Sequence, residues 1–284
     1  MQNCIILVDK PSGITSYDVI RKLQKITGIK KIGHAGVLDK SASGLLVCAT
    51  GRATKILSLF EDGYKIYTAD IVLGIKTDTY DLEGKVVAKN DNISVSIDEI
   101  KNVLTKFQGE IEQTTPMYSN VKVDGKKLYQ YALKNQDIEP PKRKVFIYGI
   151  EIVGFEDNIL SVMVKCSKGT YIRALANDIG EKLGVFGCVK SLKRIFSYPF
   201  SIDSANNLDN IECLSINEAL NFLPSVRIDD DIKTKVRNGV VFNKIFDIGN
   251  LKSGIYRILD KNDKLLAVIE KEKSKTKYKF ININ

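Results

Sequence analysis

The first apolar run, Cys4-Ile5-Ile6-Leu7-Val8, stops at Asp9 and predicts a short buried strand. Lys10-Pro11-Ser12-Gly13-Ile14-Thr15-Ser16 is rich in turn residues and leads into a helix. A Thr15/Asp18 capping box marks its start, and Val19, Ile20, Leu23 and Ile26 form its apolar stripe before Gly28. Small residues crowd the following stretch, Gly33-His34-Ala35-Gly36-Val37-Leu38-Asp39 and Ser41-Ala42-Ser43-Gly44, which opens into the buried-looking Leu45 to Ala49. From Lys65 to Leu73 the positions alternate, with Tyr67, Ala69, Ile71 and Leu73 on one face and Asp70 on the other, as in a half-exposed strand. A second capping box, Ser96/Glu99, opens a helix carrying Ile97, Ile100, Val103, Leu104 and Phe107, closed by Gly109.

Between Thr114 and Lys144 the pattern gives way to turn residues, tyrosines and charge. Seven lysines and arginines stand there against three acids, a net +4. Phe146 to Val153 and Leu160 to Cys166 then predict a strand pair around Asp157-Asn158, and a turn at Lys168-Gly169 leads into a helix from Thr170 to Leu183. The mixture predicts an α+β domain with a largely antiparallel sheet. A polar stretch from Asp203 to Asn210, the Leu223-Pro224 break and Asp229-Asp230-Asp231 put a domain boundary near residue 225. Beyond it, Ile255 to Leu259 and Leu265 to Ile269 form a hairpin. Lysines at 271, 273, 275, 277 and 279 would line one face of an extended last strand.

Length and charge narrow the function. A chain of 284 residues is long enough for two domains, and 43 basic against 34 acidic residues leave a net +9, which favours a polyanionic partner. Five cysteines without a CxxC or regular spacing predict neither a disulfide framework nor a zinc site, and point to a reducing compartment. His34 is the only histidine, which removes metal sites that need two imidazoles. The N-terminal apolar run is too short for a signal peptide or a membrane span, so the expected location is the cytoplasm. No phosphate-binding loop or dinucleotide fingerprint occurs, so the chemistry falls to side chains, and an acidic nucleophile or base is favoured over an imidazole relay.

The segment Gly33 to Leu46, centred on Asp39, resembles the catalytic-aspartate motif of the bacterial tRNA pseudouridine-55 synthase family. The resemblance continues in Lys10 to Ser16, Lys65-Ile66-Tyr67, Leu73-Gly74, Thr77-Asp78-Thr79, Asp81 to Gly84, Pro116 to Ser119, and Cys166 to Arg173. It spans roughly residues 5 to 200, although Val37 and Lys40 replace the family's usual threonine and proline.

That resemblance implies a pseudouridine-synthase catalytic domain over 1–225 with an RNA-clamping insertion at about 114–146, and a small β-rich, PUA-like RNA-binding domain over 226–284. It implies a stand-alone, monomeric enzyme that flips out the T-loop uridine at tRNA position 55 and rejoins its base through carbon, with no cofactor, metal, membrane or guide RNA. Asp39 would be the nucleophile, by base addition, ribose attack or a glycal route. The carboxylate must act in a mostly dry pocket, with Arg173 as its planar counter-charge. Tyr67 would stack on the base and assist proton transfer. His34 would fill the space of the flipped bases, while Tyr171 and Leu192 would contact the nucleotide or wall the pocket. A pseudouridine synthase for another RNA, or an RNA-folding protein without turnover, are the rival readings.

Overall fold

The computed structural model describes residues 2–282; Met1, Ile283 and Asn284 lie outside the described residues, the last two within the expected C-terminal unit. The main sheet has the spatial order Leu214–Ser215, Cys4–Lys10, Ser43–Thr50, Gly187–Ser197, Lys65–Leu73, Ile159–Cys166, Lys142–Glu156, Gly109–Thr114. Neighbours along this order are antiparallel, except for the short parallel contact of Ser43–Thr50 with Gly187–Ser197. The chain is thus α+β with a mainly antiparallel sheet. Among the described residues no helix is long and apolar enough to cross a membrane.

The first strand is apolar from Cys4 to Val8 because both of its faces are covered there. Cys4, Ile6 and Val8 pack with Leu46 and Cys48 under Val19, Ile20 and Leu23 of the capped helix Ser16–Thr27. Ile26, the last member of the expected stripe, is exposed. Ile5 and Leu7 point the other way, into a core with Leu45, Val47, Phe60 and Phe200. On the other half of the sheet, Ala69, Ile71 and Leu73 alternate inward beneath the helices Ile97–Thr105 and Ile172–Lys182. Asp70 points to the opposite face and accepts hydrogen bonds from the hydroxyls of Ser161 (2.6 Å) and Ser191 (2.7 Å).

A second sheet, in the order Ser225–Arg227, Gly254–Leu259, Leu265–Glu272, Lys275–Ile281, forms the C-terminal β domain. Val236, Phe242, Ile258 and Ile269 make its own core, while Leu259, Leu265, Val268 and Phe280 join the core of Ile5 and Leu7. The two sheets are therefore welded by shared apolar burial.

Three expectations are corrected. The five-lysine row is broken by a turn at Lys273 (φ 52), which leaves Lys271 buried on the preceding strand, bonded to the Leu251 carbonyl. The strand expected from Phe146 begins at Lys142, because its basic N-terminal residues pair with Gly109–Thr114. The cysteines also hold one bridge: Cys4 and Cys213, with Cα atoms 5.6 Å apart, form a disulfide, whereas Cys48, Cys166 and Cys188 are free and buried.

Two stability predictions follow from this packing. Phe280→Ala should cost about 3–5 kcal/mol and lower the midpoint of a single cooperative unfolding transition in urea. A separate early transition would show that the small sheet unfolds alone. At Gly44 (φ +103), a Cβ would lie 2.3 Å from the Arg194 carbonyl oxygen. Gly44→Ala should therefore cost about 2 kcal/mol or more in the same assay.

Candidate active site

Asp39 sits on a loop held from below by the turn-rich segment that precedes the first helix. The Ser16 hydroxyl accepts from Leu38 N–H (2.9 Å) and donates to the Leu38 carbonyl (3.0 Å), Gly13 N–H donates to the Lys40 carbonyl (2.8 Å), and Ser12 donates to the Ser41 carbonyl (2.7 Å). Lys10 is fully buried and donates to the carbonyls of Pro11 and Ile14. Burial pulls its ammonium down to about 8, an effect the nearby Asp39 charge opposes. The Lys10 to Ser16 motif is thus a cradle for the aspartate loop.

Arg173, in the first turn of helix Ile172–Lys182, points into this loop. Its Nε donates to Asp39 Oδ2 (2.8 Å), and its terminal nitrogens donate to the carbonyls of Thr79 (2.6 Å) and Tyr118 (3.0 Å). A second carboxylate, Asp81 Oδ2, lies 3.8 Å from Nε. The Arg173 side chain is 5% exposed and that of Asp39 is 40% exposed, so the ion pair has a dry cationic end and an open anionic end. A guanidinium this deep requires such partners, since an uncompensated buried charge is strongly destabilising.

A second buried guanidinium, Arg194, lies across the strand pair from Tyr67. It donates to the carbonyls of Leu45 (2.8 Å) and Gly36 (3.0 Å), and so spans both flanks of the Asp39 loop. Burial pushes the Tyr67 phenol up from its ordinary value, opposed by the charge and hydrogen bonding of Arg194. Burial, then Arg194, pulls His34 down, which favours a neutral imidazole; its Nδ1 is buried without a hydrogen-bond partner.

Asp39, Tyr67, Arg173, His34, Tyr171 and Leu192 all line one cavity of about 1150 Å³. All six residues singled out from the sequence therefore meet at one place. Buried Gln113 accepts from Tyr171 N–H (2.8 Å) and donates to the Tyr171 carbonyl (3.0 Å), which fixes the backbone at that residue. The basic insertion folds over the cavity as a hairpin, Lys122–Val123 with Lys126–Lys127, and a short helix, Leu128–Ala132. From it Tyr118, Ser119 and Tyr129 reach the cavity wall, and Arg143 follows on the adjoining strand, 5.5 Å from the centroid of the Tyr171 ring. Sequence reasoning missed Arg194 and Gln113, and had Arg143 only as one cation of the basic insertion. Gly36 and Gly44, which give Arg194 room, were the available sign of it. Among the described residues, no group of three or more His, Cys, Asp or Glu side chains is placed to hold a metal ion.

Comparison with known proteins identifies the family of the chain. The model of the TruB family pseudouridylate synthase N-terminal domain matches residues 24–172. A tRNA pseudouridine synthase B of Clostridium kluyveri is 41% identical over 274 residues, covering 93% of this chain and 94% of that protein. Its counterpart from Francisella philomiragia is 39% identical, covering 96% and 92%. Among solved structures, a Cbf5-Nop10-Gar1 complex matches with a TM-score of 0.74 at 25% identity, over 100% of this chain and 84% of that one. An H/ACA RNP bound to a substrate RNA containing 2'-deoxyuridine matches with a TM-score of 0.70 at 26% identity, over 94% and 77%. A family model matching more than half of the residues, together with relatives aligned nearly end to end, shows that the chain belongs to the TruB family of pseudouridylate synthases.

Proposed function

We propose that this chain converts the T-loop uridine at tRNA position 55 into pseudouridine, with Asp39 as the nucleophile. The observation that carries the reading is the Arg173–Asp39 ion pair at the floor of a cavity roofed by a basic insertion. Relatives named as tRNA pseudouridine synthases supply the substrate class. In the overall reaction the N1–C1′ bond breaks and a C5–C1′ bond forms, while C5 loses a proton and N1 ends protonated. No outside oxidant or cofactor is required.

Arg173 holds the carboxylate in one orientation beside a positive charge, whichever of the three routes is followed. Tyr67 offers a ring for stacking on the uracil and a hydroxyl for moving the C5 proton. A target base must leave its stack, which costs a few kcal/mol and is offset by contacts in the pocket and by filling the gap left behind. His34, neutral and half-buried, suits the gap, and Tyr171 and Leu192 wall the base. Asp39 is 40% exposed in the free chain, and the docked RNA would complete the dry pocket.

The insertion at 114–146 provides a clamp built into the chain, which favours a stand-alone enzyme that needs no guide RNA. The C-terminal sheet, assigned as a PUA-like domain over 226–284, would contact the tRNA backbone through exposed Lys275 and Lys277.

Asp39→Ala should abolish tritium release from a tRNA transcript labelled at uracil C5 while changing tRNA affinity less than about threefold. Release from the unaltered chain, mapped to position 55, supports the reading; tight binding without release by that chain favours the RNA-folding alternative. Affinity should fall more than about tenfold between 50 and 200 mM salt, because the insertion acts through phosphates. A flat salt dependence in filter binding would count against the clamp.

A further inference from the structure

Outside the cavity, the sheet face opposite helix Ile172–Lys182 carries aromatic rings that no core requires. On strand Lys142–Glu156, Phe146 and Tyr148 are 42% and 52% exposed, with ring centroids 4.9 Å apart. A register shift between Ile147 and Gly149 brings Tyr148 beside Lys165 of the next strand. The Lys165 ammonium stands 4.2 Å from the centroid of the Tyr64 ring and 6.0 Å from that of Tyr148. Tyr64 is in turn stacked on Phe196 (5.2 Å, 13° between planes) and lies 5.6 Å from Tyr198, so the platform is backed by rings rather than by solvent.

The face is continuous with the cavity rim. Lys65, Lys144, Ser167 and Lys168 line the cavity, and each is within three residues of a platform member. We propose that Phe146, Tyr148, Tyr64 and Lys165 form a second RNA-contact surface, which stacks unpaired nucleotides of the substrate RNA lying outside the target loop. Antiparallel sheets that present aromatic rings from adjacent strands are a recurring way to hold unpaired bases, because every base offers a π face and a neighbouring cation meets the phosphate between bases. An acidic partner would find the lysine but gain nothing from two bare rings. An apolar partner would have to bury the Lys165 charge. Unpaired RNA uses both features at once. The proposal rests on the reading that the substrate is a folded RNA larger than the hairpin held in the cavity.

The test compares the unaltered chain, Tyr148→Ala/Lys165→Ala and Tyr148→Phe/Lys165→Arg, each checked for fold by circular dichroism and thermal midpoint. Filter binding is measured on a full tRNA transcript and on its isolated T-arm stem-loop, with tritium release followed alongside. The alanine pair should weaken tRNA binding at least about tenfold, leave stem-loop binding and its kcat unchanged, and be rescued by the ring-preserving pair. Equal loss on both RNAs overturns the proposal and assigns the effect to the cavity. Unchanged tRNA affinity overturns it too, and leaves the face to a protein partner. Absence of turnover by the unaltered chain, with tRNA bound in a ring-dependent way, would sink the enzymatic reading while sustaining the platform.

Discussion

The structure is organised around the need to satisfy one buried guanidinium. Arg173 lies almost entirely out of water, and its three donor groups reach Asp39, Thr79 and Tyr118, with Asp81 close behind. Those partners come from the aspartate loop, the Thr77 to Gly84 turn and the insertion, segments far apart in the chain. Removing one would leave charge or carbonyls unpaired in a dry place, so the three segments and the helix are held in one arrangement. The geometry of the Asp39 carboxylate is a by-product of that satisfaction.

Arg194 performs the same service for the other side of the loop. Its guanidinium occupies the space that a side chain at Gly36 would fill, its backbone the space at Gly44, and the guanidinium bonds the carbonyls of Gly36 and Leu45. The loop is therefore short, glycine-flanked and pinned at both ends, which keeps Asp39 from following solvent. Because Tyr67 faces Arg194 across the strand pair, the Tyr67 ring and the Asp39 carboxylate share one rigid support. Such preorganisation leaves little rearrangement to be made when a substrate arrives.

Charge is distributed to match this. The cavity floor holds a neutralised ion pair, while its rim carries Lys142, Arg143, Lys144 and Lys168. Several of these lysines pair with acids at the surface, Lys144 with Glu110 and Lys168 with Asp62, and such exposed pairs contribute little to stability. They can therefore exchange their carboxylate partners for phosphate at small cost.

Much of this was legible in the sequence for local reasons. Capping boxes at Thr15/Asp18 and Ser96/Glu99, the alternation around Tyr67 and the Asp157-Asn158 turn all depend on neighbours within a few residues, and each appears as expected. Asp39, Tyr67 and Arg173 were named because their motifs are contiguous. The lysine row failed as an alternating pattern because period two does not reveal where a strand turns back, and the turn falls at Lys273. Arg194, Gln113, the Cys4–Cys213 bridge and the Phe146/Tyr148 platform were invisible because each depends on which strands are neighbours. Sequence by itself determined the elements, the motifs and the chemistry available. Only the tertiary structure decided which side chains share a buried space, because strand order and burial, and hence which charges must find one another, are set by packing across distances that no local pattern encodes.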